Sequence, residues 1–196
     1  MSSGDSVMRQ PSTDRRFGGI CAVLVGILWV ITVVVYFLGN AFLGVLVLCL
    51  ALIGVLGLGV VPALMEGPES VSGVLGWARA LGYLGFAVQA AQFASVLLHP
   101  TLDTALDPGE FIGYGGVAMW LLVTNWTLLG MPGRGRWRAG LGLVLAVLYA
   151  GNIVVASALV PANWVAIDAG VMVVAPIWFI WSGFAVWRKR PSAAGG

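Results

Sequence analysis

The sequence predicts an all-α fold: a polytopic membrane protein built as a six-transmembrane-helix bundle with both termini in the cytoplasm. The first observation is composition, because 60% of the 196 residues are hydrophobic and only 9% are charged, whereas soluble domains carry about 25% charged residues. The second is a series of long apolar runs without charge. The third is that the basic residues all fall beside alternate ends of those runs. This composition excludes an ordinary soluble enzyme, a disordered tail and a nucleic-acid-binding module.

The first two helices lie within one charge-free run. No Asp, Glu, Lys or Arg occurs from Phe17 to Met65, and as one helix this run would be more than twice as long as the bilayer core, which is about 30 Å thick. Gly39-Asn40 is the turn signal near its middle, so the run predicts two spans. The predicted ranges are 17–38 and 41–64, after a cytoplasmic tail at 1–16 that we expect to be disordered.

The other four helices are bounded by capping and helix-breaking residues. Asp107–Glu110 (Asp-Pro-Gly-Glu) combines an N-cap Asp, a Pro at the first helical position and a Glu three residues after the cap, which is a capping-box pattern. Pro132-Gly133 closes helix 4, and Pro161–Asn163 separates helices 5 and 6. The apolar runs are continuous, whereas membrane-barrel strands alternate in hydrophobicity. The predicted ranges are 74–98, 111–130, 139–160 and 164–187, followed by a basic cytoplasmic tail at 188–196.

The distribution of charge predicts the orientation of the bundle. All ten Lys and Arg residues lie before helix 1, at the start of helix 3, between helices 4 and 5, or after helix 6, which share one face of a six-span chain. The third connection instead carries Asp103, Asp107 and Glu110. Positively charged connections are retained in the cytoplasm. The pattern therefore predicts a multi-pass protein of the plasma (inner) membrane with both termini inside.

Five polar residues in the outer halves of three helices are candidates for a functional site, because polar groups inside a membrane are costly. Gln89, Gln92 and His99 share one stripe of helix 3, and Asn152 and Asp168 lie at similar depth on helices 5 and 6. As a functional site they would line an outward-facing polar cavity, with His99 and Asp168 as its titratable members. The alternative is that the amides join helices by hydrogen bonds while His99 and Asp168 sit at the wet membrane edge. The five residues are Gln89, Gln92, His99, Asn152 and Asp168.

Neither a metal nor an organic cofactor is predicted. His99, Asp103 and Asp107 have a regular spacing, but Pro100 interrupts the helix that would present them together, and one His with two Asp is a weak zinc signal. A retinal Schiff base needs an intramembrane Lys, whereas the single Lys is Lys189, beyond helix 6. Bis-histidine haem needs two His, and the chain has one.

Three Trp residues lie deep in the predicted spans: Trp29, Trp120 and Trp178. They could form an aromatic pocket for a flat apolar ligand such as a quinone. The alternative is that they pack the interior of the bundle, which is the commoner role of a deep aromatic side chain.

Two junctions carry a resemblance to known proteins. One is Arg15–Gly19 (Arg-Arg-Phe-Gly-Gly) leading into helix 1, and the other is Pro132–Gly142 leading into helix 5. With the six-helix topology, they resemble the small six-helix bacterial inner-membrane proteins classed as domains of unknown function. The resemblance implies an inner-membrane protein and supplies no active site.

No enzyme motif occurs in the chain: there is no Gly-x-Ser-x-Gly, no His-Glu-x-x-His and no phosphate-binding loop. We therefore expect a non-catalytic accessory or regulatory membrane protein. One alternative is a small-solute carrier, channel or sensor that uses the polar cavity, and another is a lipid- or quinone-binding protein that uses the deep Trp residues. The expected partners are the lipid bilayer and either another membrane protein or further copies of the chain, with no nucleic acid.

Overall fold

The computed structural model describes residues 12–39, 42–64, 72–99, 108–131, 135–156 and 164–188. These ranges form six helices and contain no strand. The all-helical prediction is therefore confirmed for the described residues. The helices are α1 (Ser12–Leu38), α2 (Leu43–Leu64), α3 (Ser72–Leu98), α4 (Pro108–Leu129), α5 (Arg136–Ala156) and α6 (Trp164–Arg188).

The turn signal between the first two helices works through a left-handed glycine. Gly39 has a φ of 87°, a conformation that costs energy for any residue with a Cβ. Its N–H donates to Tyr36 O at 3.3 Å, and Phe42 N–H donates to Gly39 O at 3.1 Å. The pattern closes α1 and lets the chain reverse into α2, as is common at helix C-termini.

The starts of five helices differ from the predicted ranges: they lie at 12, 43, 72, 108 and 136, where 17, 41, 74, 111 and 139 were predicted. Helix α1 begins at Ser12, so Arg15 and Arg16 belong to the helix rather than to a preceding tail. Helix α5 begins at Arg136, because an Arg side chain does not disfavour helix even where it ends an apolar run. The end predicted for helix 5 at 157–160, and the tails at 1–11 and 189–196, lie outside the described residues.

The helices form a ring in which each contacts its neighbours in the sequence, and α1 closes the ring against α6. Of these interfaces, the one between α5 and α6 is the least extensive. Gly18 near the start of α1 approaches Ala63 near the end of α2, so these neighbours are antiparallel. We call the end that holds the starts of α1, α3 and α5 the basic end, because the described Arg residues lie in that half of the bundle.

Small residues allow the helices to approach backbone to backbone. A Cβ added at Gly85 on α3 would lie 2.6 Å from Val117 N on α4. At the ring closure, a Cβ added at Gly183 on α6 would lie 2.6 Å from Gly19 O on α1. Glycine at such positions brings membrane helices into direct van der Waals contact.

Aromatic side chains fill the interior between α3, α4 and α6. Phe86 and Trp120 pack edge to face with ring centroids 5.5 Å apart, and Trp120 and Trp178 do so at 6.1 Å. Phe179 extends the cluster, 4.9 Å from Trp178. These distances are typical of favourable aromatic pairs. The four aromatic side chains therefore connect α4 and α6, which are not adjacent in the ring of helices.

The outer surface of the bundle is apolar. Large hydrophobic side chains are exposed on all six helices, and five of the helices are long and apolar enough to cross a membrane. Helix α5 is not among these five in the part of the chain that the structure describes. Such a surface is compatible with lipid and unusual for a protein surrounded by water.

Candidate functional site

Buried polar side chains are unevenly distributed around the ring. Helix α1 contributes one, Thr32, and α2 contributes none among its described residues. The others form two groups on α3 to α6, one near each end of the bundle. The group toward the end opposite the basic end is Gln89, Gln92 and Asn152, and the group toward the basic end is Thr124, Asn125, Arg138 and Ser182.

Gln89 and Gln92 face the interior from α3. The Cγ of Gln89 would be 2.9 Å from a Cβ at Gly113 on α4, so this glycine makes room for the glutamine chain. Gln92 Oε1 is buried and has no hydrogen-bond partner among the described residues. An unpartnered buried amide oxygen is costly, and it marks a position where a water or ligand donor would be stabilising.

Asn152 and Asp168 meet at the interface between α5 and α6. The Asn152 side chain lies close enough to the Asp168 carboxylate to interact with it electrostatically, while Asn152 Oδ1 is buried without a hydrogen-bond partner among the described residues. Asp168 is only partly buried. The carboxylate therefore has a polar neighbour on α5, and part of it remains accessible.

Two tyrosines link this pair to the rest of the group. Tyr149 lies one turn before Asn152 on α5 and is fully buried. Its ring centroid is 5.7 Å from that of Tyr114 on α4, which is the residue after Gly113. Neither tyrosine was identified from the sequence. The available signal was that Tyr149 and Asn152 share a helix face at a spacing of three.

His99 takes no part in this arrangement. It follows the last residue of α3, its side chain is exposed, and its backbone N–H donates to Ser95 O at 2.8 Å. The structure thus places Gln89 and Gln92 at the α3–α4 interface and Asn152 with Asp168 at the α5–α6 interface.

The deep Trp residues occupy two different places. Trp120 and Trp178 contact each other in the aromatic cluster, where Trp178 Nε1 donates to Arg138 O at 3.1 Å. Trp29 is buried on α1 and takes part in none of the contacts between aromatic side chains found among the described residues. The Nε1 atoms of Trp29 and Trp120 have no hydrogen-bond partner there.

The second polar group, toward the basic end, was missed by the sequence analysis. Asn125 Nδ2 donates to Leu121 O at 2.7 Å, and a Cβ at Gly142 on α5 would overlap the Asn125 amide. Arg138 lies one turn before Gly142 on the same face of α5. Four atoms of the group are buried without a partner: Thr124 Oγ1, Asn125 Oδ1, Arg138 Nε and Ser182 Oγ. Sequence reasoning overlooked Arg138 because it assigned every Arg to the membrane surface.

Among the described residues, no three His, Cys, Asp or Glu side chains come together as metal ligands. Asp103 and Asp107 lie outside the described ranges. Cys21 and Cys49 are free buried thiols.

The chain matches no known protein family, no curated protein and no solved structure. The fold and the polar groups define a class, a six-helix protein with a membrane-compatible surface.

Proposed function

We propose that the chain is a multi-pass protein of the plasma membrane, with six spans and both termini in the cytoplasm, that acts as a non-catalytic accessory or regulatory partner of another membrane protein. The charges support the orientation. The described basic side chains are Arg15, Arg16, Arg79, Arg136, Arg138 and Arg188, and all lie in the basic half of the bundle, which the positive-inside rule assigns to the cytoplasm.

Exposed aromatic side chains mark the same boundary. Trp77, Trp126, Trp137 and Trp187 are exposed at the basic end of α3, α4, α5 and α6. Trp side chains favour the interface between hydrocarbon and headgroups. Their position supports a transmembrane α5, whose first turn then lies at the cytoplasmic membrane surface.

The packing of the ring is the observation that carries the accessory role. Gly85 and Gly183 bring neighbouring helices together at backbone distance, and the aromatic cluster joins α3, α4 and α6 through the interior. Carriers work by rocking one group of helices against another. A closed ring with close backbone contacts and a filled interior resists such motion and is suited to present a fixed surface to a partner.

The test is the composition of the complex in the native membrane. We expect the tagged full chain, cross-linked in cells and purified in two different mild detergents, to carry one membrane protein at fixed stoichiometry. A second six-helix protein expressed at the same level is the control for abundant contaminants. Recovery of the chain only as a monomer or as copies of itself in both detergents would contradict the accessory role.

The proximity of Asn152 and Asp168 favours a second candidate, a small-solute carrier or sensor. An ionisable group within a span is by default a functional candidate, and this one lies at the least extensive interface of the ring. We expect a cationic or hydrogen-bond-donating solute to raise the unfolding temperature of the wild type and not of Asp168→Asn. If the solute raised the unfolding temperature of Asp168→Asn as much as that of the wild type, this candidate would be eliminated.

A further inference from the structure

Arg138 differs from every other basic residue whose side chain is described. It is 9% exposed, whereas Arg15, Arg16, Arg79, Arg136 and Arg188 are all exposed. Its Nε is fully buried without a hydrogen-bond partner among the described residues. A buried donor atom of a charged group is unfavourable when it lacks an acceptor, since a buried charge needs a counter-charge or hydrogen bonds.

The surroundings of Arg138 add positive potential. Ala139 N–H donates to Gly135 O at 2.9 Å, which makes Gly135 the N-cap and Arg138 the third residue of α5. The N–H groups of the preceding first turn have no acceptor within the helix, and the helix dipole is positive at this end. Asp168 is the single carboxylate among the described side chains, and it lies in the opposite half of the bundle.

The neighbouring helix supplies a further donor. Trp178 Nε1 on α6 is bound to Arg138 O, and Ser182 lies one turn further toward the basic end on the same face of α6. The Arg138 side chain also leaves α5 toward the basic end, because side chains on a helix tilt toward its N-terminus. Ser182 Oγ is fully buried and unpartnered. Arg138, Ser182 and the N-terminus of α5 thus lie at a similar level toward the basic end of the bundle.

We propose that Arg138, the first turn of α5 and Ser182 form a binding site for a phosphate group at the cytoplasmic end of the bundle. Arg matches the geometry of phosphate oxygens through paired N–H donors, and helix N-termini bind anions. The phosphate belongs either to an anionic lipid headgroup of the inner leaflet or to a soluble phosphate compound. Basic pockets between spans on the cytoplasmic side are known sites for anionic headgroups.

The experiment titrates the purified full chain in neutral detergent with phosphatidylglycerol, with phosphatidylcholine and with inorganic phosphate, and counts bound molecules by native mass spectrometry. We expect Arg138→Gln to lower the affinity for whichever phosphate ligand the wild type prefers by at least about tenfold, because hydrogen bonds to charged groups are lost. Arg136→Gln removes an exposed Arg from the same turn and is the matched control. It is expected to bind like the wild type.

Binding of phosphatidylglycerol without competition by inorganic phosphate would assign the site to lipid, and tighter binding of inorganic phosphate would assign it to a soluble ligand. Arg138→Lys and Ser182→Ala serve as further variants if Arg138→Gln does not fold. Arg138→Lys keeps the positive charge, and Ser182→Ala removes only one hydroxyl group. Each is expected to bind more weakly than Arg136→Gln. Equal binding by these variants and Arg136→Gln, or no ligand bound to the wild type, would overturn the proposal.

Discussion

At the scale of single residues, the polar side chains divide into partnered and unpartnered atoms. Trp178 Nε1 has a partner in Arg138 O, while the unpartnered atoms include Gln92 Oε1, Arg138 Nε and Ser182 Oγ. Hydrogen bonds between membrane helices contribute modestly, about 0.6 kcal/mol on average. The unpartnered atoms therefore cost more than the partnered ones return, which makes them the positions to examine for ligands.

The proximity of Asn152 and Asp168 predicts a coupling energy in a double-mutant cycle. Asn152→Ala and Asp168→Asn together should destabilise the protein by less than the sum of the single changes, with a difference of about 0.5–2 kcal/mol. The measurement is reversible unfolding in mixed micelles at neutral pH. Strict additivity would show that the two side chains do not interact in the membrane.

The Trp178 side chain should tolerate replacement poorly. Trp178→Phe removes the Nε1 donor to Arg138 O and leaves a gap in the aromatic cluster, so we expect a loss of at least about 1 kcal/mol of unfolding free energy. Trp187→Phe on the same helix is the control, because Trp187 is 55% exposed and should change stability little. The same unfolding assay applies, and equal effects of the two changes would contradict this placement of Trp178.

At the scale of helices, prediction from sequence depended on how local the signal was. The Gly39 turn was evident because a left-handed residue between apolar runs favours glycine whatever surrounds it. The start of α1 at Ser12 was not, because charge was used to mark the membrane edge, and a helix continues beyond that edge where its residues permit.

Packing between α3 and α4 predicts the effect of adding one methyl group. Gly85→Ala should destabilise the bundle by about 1–3 kcal/mol, because the Cβ would meet the backbone of α4, which cannot move aside easily. Gly76→Ala on the same helix meets nothing within 4 Å and should be neutral or slightly stabilising, since Ala favours helix. Thermal unfolding of both variants in detergent tests the pair, and similar melting temperatures would contradict the observed contact.

At the scale of the whole molecule, the ring of helices and its charges together predict a labelling pattern. Phe37→Cys, near the end of α1 opposite the basic end, should react with a membrane-impermeant maleimide added to intact spheroplasts. Trp137→Cys should react only after the membrane is opened. Both side chains are well exposed, Phe37 at 79% and Trp137 at 83%, whereas the native Cys21 and Cys49 are buried. The reverse pattern would invert the proposed orientation.

The sequence by itself predicted a helical protein. Only helices and closed barrels satisfy the backbone hydrogen bonds of a chain in a bilayer, and these continuous apolar runs lack the alternation of barrel strands. It also separated basic from acidic connections, which is the basis of the proposed orientation. Only the tertiary structure decided which polar residues meet. A helix face is known from spacing, but its neighbour is known only from packing. Thus Asn152 lies beside Asp168, Tyr114 packs against Tyr149, and Arg138 was found inside the bundle rather than at its surface.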